Sequence, residues 1–195
     1  MATPAHSHDN LREALIASAI ELLNEGGLAA LTLRRAAARA GVSHAAPAHH
    51  FDGLPGLLTA IATRAYAGFS DQMEAKREAM GQGAFERLSG VCAGYLAFAE
   101  HHAGLFQVMF TTPTLDRTDA ELNRASLRAY GILRDACAPF ASSPPEALEL
   151  AVWSLVHGYA FLGFNTYAKA GSAPGRAFEQ VPPFDELLRR LVLGA

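Results

Sequence analysis

The sequence predicts an all-α protein of about nine helices, and three observations carry that expectation. Half of its 195 residues are hydrophobic and only 18% are charged, which suits a sizeable core and not a disordered chain. Apolar residues recur three and four positions apart along most of the chain. Ala and Leu are abundant while β-branched residues are scarce, a balance that favours helices over strands.

Leu11, Leu15, Ile16, Ala19, Ile20, Leu22 and Leu23 form the stripe of a first helix over about residues 11–25. Asp9 or Asn10 can cap its start, and Gly26-Gly27 stops it. Residues 1–8 are short and polar and are expected to be disordered, with no signal peptide. A short second helix follows Leu31, capped by Thr32, with Leu33, Ala36, Ala37 and Ala40 inward and Gly41 at its end. Val42 then points inward, Ser43 caps again, and a third short helix runs to about Phe51. After the Asp52-Gly53 turn comes a long helix over about residues 54–79. Its apolar face holds Leu58, Ile61, Ala62, Ala65, Phe69 and Met73, and Pro55 is tolerated in the first turn.

Further helices are expected at about 84–101, 103–110 and 119–140, with a loop at 111–118. Beyond the Ser-Ser-Pro-Pro break at 142–145, residues 146–170 read as a long helix, apolar almost all round. A loop at 171–183 leads to a last amphipathic helix over about 184–193. No apolar run approaches the ~20 residues of a membrane span, so a soluble cytoplasmic protein is expected. Cys92 and Cys137 sit in apolar helical patterns and read as buried free thiols of a reducing compartment.

Residues 32–51 carry the chemistry. A Gly ends one helix and supplies a sharp turn, a buried Val fixes the angle, and a Ser caps a second helix whose first residues reach outward. That is a helix-turn-helix able to present base-reading residues to a major groove. Small alanines let the backbone approach DNA. Arg34, Arg35 and Arg39 supply cations, and the Thr32 hydroxyl and helix-start N–H groups can hold phosphates. The whole chain carries a formal charge of -3, yet this span is basic, and His44, His49 and His50 add groups that titrate near neutrality. The expected DNA contacts are Thr32, Arg34, Arg35, Ser43, His44, Ala45, Ala46, Ala48, His49 and His50.

Several pieces in order give this region a resemblance. They are Ala19 with Leu22-Leu23, Gly26-Gly27, Leu31-Thr32, Ala37, Ala40-Gly41-Val42-Ser43, His50-Phe51 and Leu57-Leu58. Residues 9–69 resemble the DNA-binding domain of the TetR family of transcriptional regulators. The resemblance implies a one-component bacterial regulator, a repressor released from a palindromic operator by a small effector. Two positions depart from it. Ala48 stands where the family usually has Tyr, and Leu54 where it has Lys. Both commonly touch phosphates, and two fewer such contacts flatten the log-log salt slope of binding by about 1.8.

Farther on, Gly104-Leu105-Phe106, Met109-Phe110 and Trp153 with His157-Gly158 resemble the C-terminal domain of one subfamily, marked by Trp, His and Gly. That resemblance implies that residues 70–195 form an effector-binding and dimerisation domain of a homodimer, with the effector small, apolar and unnamed. Phe69, Met73, Cys92, Tyr95, Phe106, Phe110, Tyr130, Trp153, His157 and Phe161 can line a pocket between helices, or simply fill a core. His157 carries the same two readings, a satisfied core histidine or a polar anchor. Ala151, Ser154, Leu155, Gly158 and Leu162, with Leu187, Leu188 and Leu191, offer a flat surface for a four-helix dimer contact.

Neither a metal site nor a cofactor is expected. The adjacent pairs His49-His50 and His101-His102 point ~100° apart on a helix and do not share one ion. No phosphate-binding Gly loop, nucleophile elbow or metal motif suggests catalysis, so no catalytic residue is assigned and an enzyme is not expected. The alternatives are a ligand-binding helical dimer with weakened DNA binding, which Ala48 and Leu54 keep open, and a helical enzyme.

Overall fold

A computed structural model describes residues 4–140, 144–165 and 181–194, and these are helical throughout apart from turns and loops. In chain order the helices are α1 (Pro4–Ala30), α2 (Leu33–Arg39), α3 (Gly53–Ala79), α4 (Ala84–His101), α5 (Ala103–Thr111), α6 (Ala120–Cys137), α7 (Pro145–Phe161) and α8 (Phe184–Leu193). Two 3-10 turns, Ala46–His49 and Ala138–Phe140, complete the set. Among the described residues no helix is long and apolar enough to cross a membrane.

The elements follow the apolar periodicity closely, with four corrections. Helix α1 starts at Pro4, so residues 4–8, expected to be disordered, are helical; a proline at a helix start gives up an N–H that has no partner there anyway. The Gly pair does break α1, with φ -147° at Gly26 and +63° at Gly27, but one helical turn resumes as far as Ala30. The expected third helix is only the 3-10 turn Ala46–His49. An α-helix capped at Ser43 would make its first backbone bond from the N–H of residue 47, and Pro47 has none. Ala46 N–H instead donates to Ser43 O at 3.0 Å. Finally, α7 stops at Phe161, beside Gly163 at φ +71°. Residues 166–170 of the expected 146–170 helix, and most of the 171–183 loop, lie outside the described residues.

Contacts divide the chain into two compact units, residues 1–67 with 102–126 and residues 68–101 with 127–195. A single boundary near residue 69 leaves out the return of α5 and the start of α6 to the first unit. In that unit α1 packs on α2 and on α5. Leu15, Ile16, Leu23, Ala36, Ala37, Leu57, Ile61 and Met109 are sealed in its core. Gly104 lets α5 approach α1, since a Cβ there would sit 2.9 Å from Leu23 O.

In the second unit α4 packs on α7 and α8, and α7 on α8. Leu88, Val91, Cys92, Val152, Val156 and Leu188 are fully buried. Gly90 and Gly94 bring α4 against the end of α3. A Cβ at either would fall 2.6–2.7 Å from the backbone of Met73 or Arg77.

Candidate nucleic-acid interface and effector region

Thr32 begins the segment expected to meet DNA. Its extended backbone and its Oγ1, which accepts from Arg35 N–H at 3.1 Å, cap α2. Ala36 and Ala37 bury one side of α2. Arg34 and Arg35 lie on the opposite, exposed side of its first turns. The helix closes at Gly41, φ +70°, with Val42 N–H donating to Ala37 O at 3.0 Å and Gly41 N–H to Ala38 O at 3.2 Å. The left-handed backbone at this turn is what glycine permits. Ser43, His44, Ala45, Ala48 and His49 follow, all exposed, while Ala46 and His50 are half-buried. Pro47 is buried and anchors the 3-10 turn. Ser43 does not act as its cap, because that position falls to Ala45, which makes no side-chain bond.

Arg39 departs from the expected cationic face. Its guanidinium donates to both carboxylate oxygens of Glu25, each at 2.6 Å, and stands 3.6 Å from Glu21. The hydrogen bond to Arg39 lowers the Glu25 carboxyl, and the bond to Glu25 raises the Arg39 guanidinium. Arg39 thus ties α2 to the end of α1, while Arg34 and Arg35 form no ion pair among the described residues. Replacing Arg39 with Ala is expected to leave the salt slope of DNA binding unchanged. A slope lower by about 0.9 would place Arg39 on a phosphate instead.

At the far end of this segment Phe51 is buried, with the Arg12 guanidinium 5.6 Å from its ring centre and His50 beside it at 6.3 Å. Arg12, Phe51, Pro55, Thr59 and Asp116 help to line a cleft of about 280 Å³. Asp116 N–H donates to Thr59 Oγ1 at 3.0 Å. Nothing in the sequence marks that pair, which is 57 positions apart.

The expected effector residues come from both units. Phe106 and Phe110 belong to the first unit, with their rings 4.8 Å apart and tilted by 53°. In the second unit Phe69 meets Tyr95 edge-on at 4.7 Å, and Tyr95 Oη pairs with His157 Nδ1 at 2.7 Å. Phe161 stacks on His157 but is 63% exposed. Tyr130 and Trp153 form another pair at 5.8 Å. Met73 and Cys92 are sealed in the core. Burial pushes the Cys92 thiol well up and the Cys137 thiol up to about 12, so both are unreactive at neutral pH. A cleft of about 380 Å³ lined in part by Leu96, Glu100, His101, Phe184 and Asp185 contains none of the expected residues. Among the described residues no group of three or more His, Cys, Asp or Glu is placed to hold a metal ion.

Desolvation holds the His157 imidazole below its usual 6.5. As pH falls the unfolded chain therefore takes up this proton before the folded one. The contribution to stability is full above pH 6.5 and is lost as the pH drops from there through the lower folded value. Urea midpoints at pH 7.5 and 5.5 should fall further for the native protein than for His157→Gln. Equal falls would show that the imidazole is not linked to folding.

Two family models match this chain. Residues 15–61 match that of the bacterial regulatory proteins of the tetR family, and residues 88–181 match a tetracyclin repressor-like C-terminal domain. The chain belongs to the TetR family. A solved protein with unknown function from Rhodococcus sp. RHA1 is 25% identical, with a TM-score of 0.71 over 94% of this chain and 90% of that one. The TetR-family regulator PfmR from Thermus thermophilus shares the fold at 18% identity, with a TM-score of 0.63 over 91% and 93% of the two chains. FadR of Bacillus subtilis, a transcriptional regulator solved with stearoyl-CoA, does so at 17% identity, with a TM-score of 0.64 over 94% and 98%. No curated protein matches the sequence.

Residues 32–51, the segment expected to be the helix-turn-helix of this TetR-family protein, lie inside the first matched region. The residues expected at a dimer contact divide. Leu188 is a correction, being fully buried in the chain's own core. Ser154 on α7, Leu162 just past its end and Leu191 on α8 are exposed, while Ala151, Leu155, Gly158 and Leu187 are half-buried. Leu150 and Leu193, not anticipated, are 64% and 47% exposed. Glu149 was also missed, although a lone acid among Leu148, Leu150, Ala151 and Val152 is a visible signal.

Proposed function

We propose that this TetR-family protein is a homodimeric repressor that holds a palindromic operator through residues 32–50 and releases it when a small, largely apolar effector enters the second unit. The observation that carries this reading is the reader itself. It is an acid-free, largely exposed segment, with Arg34 and Arg35 on the first turns of α2 and Ser43 to His49 beyond the Gly41 turn. Phosphate contacts from the arginines would fix its register, and the segment after the turn would meet base edges. The exposed leucines Leu150, Leu162 and Leu191, with open space at Gly158, support a self-complementary contact between copies. Two-fold symmetry would then space the reading segments by ~34–36 Å, one turn of DNA. An effector need favour the non-binding spacing by only a few kcal/mol to release the operator.

Selecting bound fragments from a genomic DNA pool, then weighing the complex by light scattering, tests this. A palindrome carrying two subunits, or a multiple of two, is expected. A single subunit per site would contradict the dimer. A second reading, a ligand-binding dimer with weakened DNA binding, draws on Ala48, Leu54 and the shortness of the turn Ala46–His49. It is favoured if the selection enriches nothing.

A further inference from the structure

Helix α7 places one carboxylate inside the second unit. Glu149 is 6% exposed and shares its helix face with Val152 and Val156, both fully buried. It therefore points into its own chain, whereas Leu150 and Ser154 on the same helix are exposed. A buried carboxylate is strongly disfavoured unless a cation or several donors meet it. Tyr130 on α6 donates its Oη proton to Glu149 Oε2. Among the described residues no basic side chain forms an ion pair with Glu149, and Arg134, one turn beyond Tyr130, is paired with Asp135 at 3.1 Å. The bond to Glu149 raises the Tyr130 hydroxyl, which therefore stays protonated and donating.

Two aromatic faces accompany the carboxylate. Trp153 lies one turn after Glu149 on α7, and its ring stands 5.8 Å from that of Tyr130, tilted by 46°. Both rings are half-buried. Cys137, buried and apolar, is close enough for the Glu149 charge to raise its thiol further. A buried carboxylate that no basic side chain pairs with among the described residues, beside two π faces and an apolar wall, is the chemistry that recognises an organic cation. The carboxylate meets the charge and the rings meet its polarised surface.

We propose that Glu149, Tyr130 and Trp153 form the recognition site for an amphiphilic organic cation, an amine or quaternary ammonium with an apolar body. This names the effector class and rests on the reading of the second unit as the effector domain.

Trp153 is the only tryptophan of the chain, so its emission reports the site directly. Benzyldimethylalkylammonium ions, from methyl to octyl, would be titrated into the full-length protein, with phenylalkanoates of matching length as anionic controls. Saturable changes in emission are expected for the cations, with affinities at least tenfold above the anions. Glu149→Gln should lower cation affinity tenfold or more and erase the preference for charge. Tyr130→Phe, which keeps the carboxylate, should retain that preference, and it serves as the test if Glu149→Gln does not fold. The proposal is overturned if no cation in the series saturates, if anions bind equally well, or if Glu149→Gln binds cations like the native protein. No DNA enters this titration. Cation binding that leaves a bound operator in place would therefore sink the release mechanism while the site stands, and operator binding without cation binding would do the reverse.

Discussion

Gly94→Val is expected to cost about 3 kcal/mol or more of folding stability, the upper end for forcing volume into a packed interior. The added Cβ would lie 2.6 Å from Met73 Cα and 2.7 Å from Gln72 O, both backbone atoms of α3. A flexible side chain could swing aside, but a helix backbone moves only with everything packed on it. The α3 and α4 contact would have to open, exposing Met73, which is sealed in the core. Urea unfolding followed by circular dichroism measures the loss, and a midpoint within error of the native one would show that α3 and α4 do not approach as described. Gly158→Ala is the contrasting case. Nothing lies within 4 Å of a Cβ there, and Ala in place of Gly inside a helix adds about 0.8–1 kcal/mol. An isolated chain should therefore be no less stable. If copies associate through α7, the same methyl group should weaken the dimer, which sedimentation would detect.

The second large effect concerns DNA. Replacing Arg34 and Arg35 together with Ala is expected to lower operator affinity by at least about 100-fold at physiological salt, taking ~1.5–3 kcal/mol for each charged hydrogen bond lost. The slope of log K against log salt should fall by about 1.8, and non-specific DNA should lose affinity in parallel, because phosphate contacts are the same on every sequence. Folding should be unaffected, since both side chains are exposed and neither makes an ion pair among the described residues. Anisotropy titrations at several salt concentrations provide both numbers. An unchanged slope would mean that these arginines do not touch phosphates and that the interface lies elsewhere.

Much of the fold was legible because the relevant signals are local. The apolar stripe and the Asp52-Gly53 turn set α3, and the last amphipathic stretch gave α8 with the bounds observed. Thr32 capped α2 as its residue type suggests. The family resemblance rested on such short pieces, which is why it held. The misses arise where distance or competition decides. Pro47 outweighed the Ser43 capping signal by removing the first helical bond, turning an expected α-helix into a 3-10 turn. The charge count around the reader treated Arg39 as available, and only packing brings Glu25, 14 positions earlier, against it. The return of α5 to the first unit depends on Gly104 meeting Leu23, a contact without local signature. Among the effector candidates, size and apolarity could not separate Met73 and Cys92, which are core, from Tyr130 and Trp153, which flank a buried carboxylate.

The most direct test of a DNA-binding regulator is fluorescence anisotropy of the full-length protein on the DNA flanking its own gene, at two salt concentrations. Expected is tighter binding to one flanking fragment than to random DNA of equal length, weakening steeply as salt rises. Binding to flanking fragments and to a genome-wide pool no tighter than to random DNA, even at low salt, would contradict it.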